Sequence, residues 1–271
     1  KWKSPWGYGF PGWHIECSAM SHKYLGKKFD IHGGGMDLKF PHHDCEIAQS
    51  EAVYNQNPAN YWVHTNMLTL RGRKMSKSTE NFILPENLFS GESDIIEKGY
   101  NPMVVKFLMY QAHYRNTLDL SNESLLASEK GYNKLMQSFS DIDILKPSAK
   151  GNDKYKLIVD KCYNSMLDDF NSPKLISHLF ELSKLIDDIK KEKEFISKKD
   201  IDNLRSYMKI FLVDILGFST HKNNERKVIN KDKLIDALIY IRDFSRKKKN
   251  YEISDIIRDK LNSLGINIED K

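Results

Sequence analysis

Cysteine is scarce in this chain of 271 residues, and so are long apolar runs. The three cysteines, Cys17, Cys45 and Cys162, are too few and too scattered for a disulfide scaffold and fit a reducing compartment. No run is apolar enough to span a bilayer, and the sequence contains no signal peptide, internal repeat or low-complexity tract. We therefore expect a protein of the cytoplasm with no membrane contact.

The composition is that of a globular protein, with 40% hydrophobic and 29% charged residues. The length allows one large or two to three small domains. A net charge of +5 permits an acidic polymer such as RNA as partner without requiring one. Because Lys1 is not methionine and opens a Pro/Gly/Trp-rich loop with no preceding element, we expect an excised portion of a longer chain.

The most informative stretch begins with a short apolar run at residues 29–32, which predicts the end of a buried strand. Three glycines at 33–35 allow positive φ and a close approach to a ligand. Helices are predicted at 15–24 and 41–54, and a second strand at 61–64. The pattern predicts α/β architecture with a parallel sheet and a ligand crevice where the first strand ends.

A metal site is one interpretation of the helix at 41–54. His42 and Glu46 are four residues apart and share a helix face, and Cys17 could add a thiolate. Zinc accepts this mixture of ligands. The alternative is a solvated helix pair beside an ordinary buried cysteine.

Residues 67–82 read as a basic loop rich in hydroxyl side chains. Lys74 and Lys77, three residues apart, could each place a point charge on a polyphosphate. A basic surface loop without a ligand is the alternative.

From Pro102 onwards the pattern is helical. Helices are predicted at 102–114 and 124–138, and an antiparallel bundle capped by Gly217 fills 154–216. After a polar linker, two more helices occupy 231–264. Residues 246–249, all basic, either complement a helix terminus or contact phosphate.

Five motifs together resemble the cysteinyl-tRNA synthetases, a class I aminoacyl-tRNA synthetase family. They are KMSKS at 74–78, SPWG at 4–7, PGWHIECSAM at 11–20, HGGGMDLKFPHHDCEIAQSEA at 32–52 and AHYR at 112–115. The resemblance is dense over residues 4–120 and continues weakly through 167–174 and 258–270. It covers the portion after the connective insertion.

This resemblance implies an α/β region, the second half of a Rossmann-like nucleotide-binding fold, followed by a mainly α region. The implied domains are the C-terminal half of the catalytic domain at 1–82, a stem-contact-like helical connector at 83–146, a helix-bundle anticodon-binding domain at 147–217 and a basic C-terminal anticodon-binding unit at 218–271.

The resemblance also assigns the site residues. Cys17, His42 and Glu46 match three ligands of an active-site zinc. The fourth ligand, a cysteine, and the HIGH motif belong to the half that this chain lacks. The remaining matches are Trp13 in the cysteine pocket, Gly35, Met36, Asp37 and Leu68 on the adenylate, and Lys74 and Lys77 on the phosphates, of which we favour Lys77.

The implied reaction joins L-cysteine to its tRNA through cysteinyl-adenylate, with magnesium-bound ATP as substrate and zinc selecting the thiol. We expect a monomer, catalytically incomplete as this chain alone. Three features depart from the family pattern: Met36 replaces a commoner serine, Glu80 replaces glycine, and residues 84–100 form a longer insert.

Two other functions remain open. A related ligase that joins activated cysteine to an amino sugar in thiol-cofactor biosynthesis would share the zinc, adenylate and KMSKS sites. The basic helical tail favours the tRNA ligase over it. A zinc-stabilised RNA-binding module without catalysis is the second alternative.

Overall fold

A computed structural model describes residues 1–76, 80–151, 153–219, 231–263 and 266. The chain divides into two compact units, Lys1–Phe218 and Ser219–Lys271. Lys77 and most of the proposed linker at 218–228 lie outside the described residues. The four domain boundaries drawn from the sequence remain predictions.

The first unit opens with a two-stranded antiparallel hairpin, β1 (Trp2–Ser4) and β2 (Gly7–Gly9). Helix α1 (Trp13–Leu25) follows, and none of its residues is buried. Large apolar side chains are exposed here: Trp6 is 93% and Tyr24 is 73% accessible. This region presents an extensive apolar surface, as protein–protein or interdomain contact surfaces do.

The predicted parallel βαβ unit is confirmed. Strand β3 (Phe29–Gly35) pairs in parallel with β4 (Ala59–Thr65), and α2 (Asp44–Tyr54) connects them. Between β3 and α2 lie a 3₁₀ turn (Met36–Leu38) and a wide helical turn (Lys39–His43) in which Phe40 is extended. The strand therefore leads straight into the segment that carries His42.

The expected positive φ at residues 33–35 is wrong, because these glycines continue β3 in register with Val63, His64 and Thr65. Glycine is needed here for close approach. A Cβ on Gly34 would lie 2.7 Å from Cε1 of His43. The side chain is absent to make room for neighbours, not to permit a left-handed turn.

The basic segment is more ordered than the predicted loop. Strands β5 (Leu68–Leu70) and β6 (Arg73–Lys74) form an antiparallel hairpin whose turn residues, Arg71 and Gly72, have φ of 54° and 71°. Strand β7 (Leu118–Leu120) pairs with β5 in parallel. The left-handed pair at the turn is the geometry that suits the twist of a two-residue hairpin.

The rest of the first unit is helical, and the prediction of a helix-rich second part is confirmed. Its helices are α3 (Pro85–Ser90), α4 (Pro102–Tyr110), α5 (Asn122–Asp141), α6 (Lys154–Leu167), α7 (Ser172–Lys190) and α8 (Lys198–Lys209), with short turns at Ile142–Ile144 and Ile210–Ile215. Helix α4 is shorter than predicted and ends at Tyr110. The predicted cap Gly217 has the left-handed φ of 63°.

Side-chain N-caps fix where two of these helices begin. Asn101 accepts a hydrogen bond from the backbone N–H of Met103, and Asn171 accepts one from Lys174, each with a proline in the first turn. The main core lies among α4 to α8, where Phe107, Leu179 and Phe211 are fully buried. This core packs from α5 onto β7 and supports the hairpin β5–β6.

The second unit contains α9 (Lys231–Lys247) and α10 (Tyr251–Ser263), which pack against each other and confirm the two predicted helices. Among the described residues, no helix has the length and apolar character needed to cross a membrane.

Candidate functional site

Helices α1 and α2 lie side by side and bring Cys17 to His42 and Glu46. Ser18 donates a hydrogen bond to Oε1 of Gln49 at 2.7 Å, and the rings of His22 and Tyr54 stack at 4.3 Å. Both contacts lie C-terminal to Cys17 and hold α1 against α2, so that Cys17 lies close to Glu46 on α2 and to His42 in the turn that precedes it.

The three predicted metal ligands converge. One ligand atom from each of Cys17, His42 and Glu46 lies within 4.8 Å of the other two. His42 and Glu46 are buried, and Nε2 of His42 is 3.1 Å from Oε1 of Glu46. The residues that sequence spacing placed on one helix face thus meet a thiol from a different helix.

A buried carboxylate oxygen in this cluster makes no hydrogen bond within the described residues, although Nε2 of His42 lies 3.1 Å from it. Oε1 of Glu46 has no hydrogen-bond partner among the described residues, although Glu46 is only 2% exposed. Burial raises the pKa of Glu46 to about 7. A divalent cation would compensate such a group, and a thiol, an imidazole and a carboxylate form a donor set that fits zinc.

Burial, followed by the charges of Glu46 and Glu16, raises the pKa of the Cys17 thiol. Without a cation, this thiol is held in its neutral form. A bound metal would reverse that balance because it favours thiolate. Cys45 and Cys162 lie outside both of the metal-capable clusters found among the described residues, so Cys17 is the candidate thiol ligand.

Three further histidines, His32, His43 and His64, lie beside the cluster. Nδ1 of His43 is 2.9 Å from Nε2 of His64. The His32 ring stacks on Trp62 at 4.5 Å, and its Nδ1 lies 3.7 Å from Oε2 of Glu46. The sequence signal that could have located two of them is that His32 and His64 each lie in one of the two strands predicted to pair in parallel.

Burial, followed by the neighbouring histidines, lowers the pKa of His43 to about 4. Burial, followed by His42 and His64, also lowers the pKa of His32. Both rings are therefore neutral at pH 7. With Glu46, they form a second set whose candidate ligand atoms lie within 4.8 Å.

The predicted amino-acid and nucleotide residues lie around this cluster. The Trp13 ring is 4.4 Å from that of His42, and its side chain is exposed. Gly35 ends β3 opposite Thr65 of β4, and Met36 and Asp37 form the 3₁₀ turn that follows. These residues occupy the carboxyl end of a parallel strand pair, where ligands of α/β sheets bind.

Of the predicted adenylate- and phosphate-binding residues, Leu68 and Lys74 belong to the hairpin. Leu68 begins β5, and the exposed Lys74 ends β6. Ser76 and Asn81 form an isolated bridge beyond it. Since Lys77 lies outside the described residues, its role remains a prediction.

Comparisons with known proteins show which class of protein this chain resembles. Residues 1–130 match the family model of the tRNA synthetases class I (C) catalytic domain, and residues 161–220 match the DALR domain. By these two matches the chain is similar, region by region, to class I aminoacyl-tRNA synthetases. This confirms the resemblance drawn from the motifs and the predicted fold class.

Within that class, the chain is similar over its full length to cysteine–tRNA ligases. It is 44% identical over 273 residues to that of Parabacteroides distasonis and 39% identical over 285 residues to that of Thermococcus gammatolerans. The alignments cover 100% of this chain and 55% and 57% of those proteins. The chain thus spans about half the length of the curated relatives that it matches.

A solved structure supports the fold. The chain is similar to one in the LeuRS–tRNA–LeuAMS ternary complex of Agrobacterium radiobacter, with a TM-score of 0.51 at 14% identity. The similarity covers 68% of this chain and 25% of that chain. At this identity, the likeness concerns the fold alone.

Proposed function

We propose that this chain is the zinc-binding and helix-rich part of a cysteine–tRNA ligase. The convergence of Cys17, His42 and Glu46, with a buried carboxylate oxygen that makes no hydrogen bond within the described residues, carries the proposal. An identity of 44% to a cysteine–tRNA ligase over the whole of this chain supports it. The substrates would be L-cysteine, magnesium-bound ATP and the tRNA for cysteine, and the enzyme would act as a monomer in the cytoplasm.

The proposed ligand set explains how cysteine would be distinguished from serine. A pocket that relies on shape separates near-isosteric side chains poorly. Zinc held by Cys17, His42 and Glu46 supplies an acceptor that favours a thiolate over an alcohol. Trp13, beside His42, would border the amino-acid side chain and exclude water from it.

Activation requires positioning and charge rather than a side-chain nucleophile. The substrate carboxylate attacks the α-phosphate of ATP, and pyrophosphate leaves. Gly35, Met36, Asp37 and Leu68 would hold the nucleotide, and the ammonium groups of Lys74 and Lys77 would stabilise charge on the phosphates. The tRNA ribose hydroxyl then takes the acyl group from the adenylate.

The proposal assigns activity to a parent enzyme that contains this chain. Three ligands leave one position of a tetrahedral zinc site for another protein group or for the substrate thiol. The exposed aromatic residues of β1, β2 and α1 support a catalytic domain whose other half packs on this surface. This chain alone is therefore expected not to activate cysteine.

The test uses the parent enzyme with labelled cysteine, ATP and either total tRNA or amino-sugar acceptors. Cysteine-dependent exchange of pyrophosphate into ATP, followed by charging of tRNA, is the expected result. Adenylate formation with transfer only to an amino sugar would favour the thiol-cofactor ligase. RNA binding without cysteine-dependent exchange would leave the non-catalytic RNA-binding module.

A further inference from the structure

The hairpin β5–β6 ends at Lys74, the first lysine of the KMSKS motif. Lys74 is exposed, and its ammonium can act only if the backbone beneath it is fixed. The hairpin is short, since β6 has two residues and pairs with β5 through two registered positions. Such a small ribbon is marginal by itself, so other contacts must hold it.

Asn81 makes those contacts from the far side of the motif. Its Nδ2 lies 3.4 Å from the carbonyl oxygen of Leu70, 3.3 Å from that of Arg73 and 3.1 Å from that of Lys74. The backbone carbonyl oxygen of Asn81 accepts a hydrogen bond from the backbone N–H of Ser76 at 3.0 Å. One amide side chain thus joins both strands of the hairpin to the return segment.

A second set of contacts to the hairpin comes from Asp119 of β7. Its Oδ1 accepts the hydroxyl of Thr69 and the backbone N–H of Gly72, each at 2.6 Å. The turn is also tied to the long insert, because Nη2 of Arg71 donates to the carbonyl oxygen of Ile95 at 2.6 Å. The hairpin is therefore held by three groups of contacts, which come from Asn81, from Asp119 of β7 and from the insert.

We infer that Asn81 is a positioning residue for adenylate formation: its amide fixes the backbone of Arg73 and Lys74 so that the Lys74 ammonium meets the phosphates of ATP. The inference rests on the proposed function. Preorganised charge avoids reorganisation during the reaction, which makes its placement matter for the rate. The carboxamide suits this task because its two N–H groups can donate to the three carbonyl oxygens within 3.4 Å, whereas a carboxylate has no donor and would repel them.

Asn81→Asp in the parent enzyme is the test, because it keeps the shape and removes both donors. We expect kcat for cysteine-dependent pyrophosphate exchange to fall by about 10-fold or more, on the scale of lost electrostatic stabilisation. KM for cysteine and zinc content should stay unchanged, since the candidate zinc site lies elsewhere. Asn87→Asp is the matched control, because Asn87 donates to a single carbonyl, that of Glu92, and should leave kcat unchanged.

A double-mutant cycle separates positioning from mere structural support. In a Lys74→Met background, Asn81→Asp should cost little further rate, because the group that it positions is already gone. If Asn81→Asp misfolds, Asn81→Ser, which keeps one O–H donor, takes its place in the same cycle. The inference would be overturned if Asn81→Asp lowered kcat by the same factor in the Lys74→Met background as in the wild type. It would also be overturned if Asn81→Asp lost zinc and changed kcat and KM together. Failure of the unmodified parent enzyme to support exchange would instead overturn the proposed function.

Discussion

Replacing Glu46 by glutamine should change how zinc affinity depends on pH. Zinc displaces the proton of a ligand that is protonated in the free protein, so affinity rises with pH until that ligand has ionised. Burial raises the pKa of Glu46 to about 7, well above the ordinary 4.5. Raising the pH from 6 to 8 therefore ionises Glu46, whereas an exposed glutamate is already ionised throughout that range.

The size of the effect follows from that pKa. Proton competition at a group with a pKa of about 7 weakens zinc binding about 10-fold more at pH 6 than at pH 8. The other ligands add the same pH dependence to the wild type and to Glu46→Gln. Zinc affinity of the wild-type chain should thus rise about 10-fold more over this interval than that of Glu46→Gln. Competition against a chelator of known affinity at the two pH values measures both proteins.

Controls come from the same helix. Glu51 is exposed on α2, and Glu51→Gln should keep the wild-type pH dependence. Cys45 also lies on α2 but outside both metal-capable clusters found among the described residues, so Cys45→Ser should bind zinc normally while Cys17→Ser does not. Identical pH slopes for the wild type and Glu46→Gln, or equal zinc loss in the two cysteine variants, would refute the assignment.

Three further predictions concern stability and the phosphate-binding segment. Burial alone would raise the pKa of Asp141, but hydrogen bonds from Lys190 and Gln137 outweigh it and lower that pKa. The stabilisation is therefore present above the unfolded pKa and lost as pH falls through the folded one, and urea unfolding should show Asp141→Asn costing about 1 kcal/mol at neutral pH and little in strong acid. Glu80 has a left-handed φ of 55°, so calorimetry should show Glu80→Gly neutral or stabilising by up to about 1 kcal/mol; a clear loss would contradict this. Lys77→Ala should lower adenylate formation in the parent enzyme by roughly 100-fold, measured by pyrophosphate exchange, and a loss of RNA binding alone would contradict its proposed role.

The βαβ unit and the pairing of His42 with Glu46 were predictable because they depend on local patterns. His42 and Glu46 share a face through helical spacing, which the sequence shows directly. The contact of Cys17 with them depends on α1 packing against α2, so the sequence alone offered Cys17 only as a possible ligand, and the resemblance to a family then assigned it. Motif knowledge thus supplied what periodicity could not.

Other features were missed for identifiable physical reasons. The glycines at 33–35 were expected to turn, but they continue an extended strand, in which the close approach of His43 favours glycine at position 34. Asn81 was missed because its partners are backbone carbonyls, which no sequence pattern marks. The left-handed φ of Glu80 accounts for the glycine expected there, but the sequence showed only an added charge.

The measurement that tests the central claim most directly is pyrophosphate exchange by the parent enzyme after a chelator has removed its zinc. Exchange with cysteine and with serine would be compared before removal, after removal and after zinc is restored. The account predicts that cysteine activation is lost with the metal and returns with it, while serine remains a poor substrate in the zinc-loaded enzyme. Unchanged activation of cysteine, with unchanged discrimination against serine, in an enzyme verified to be free of zinc would contradict it.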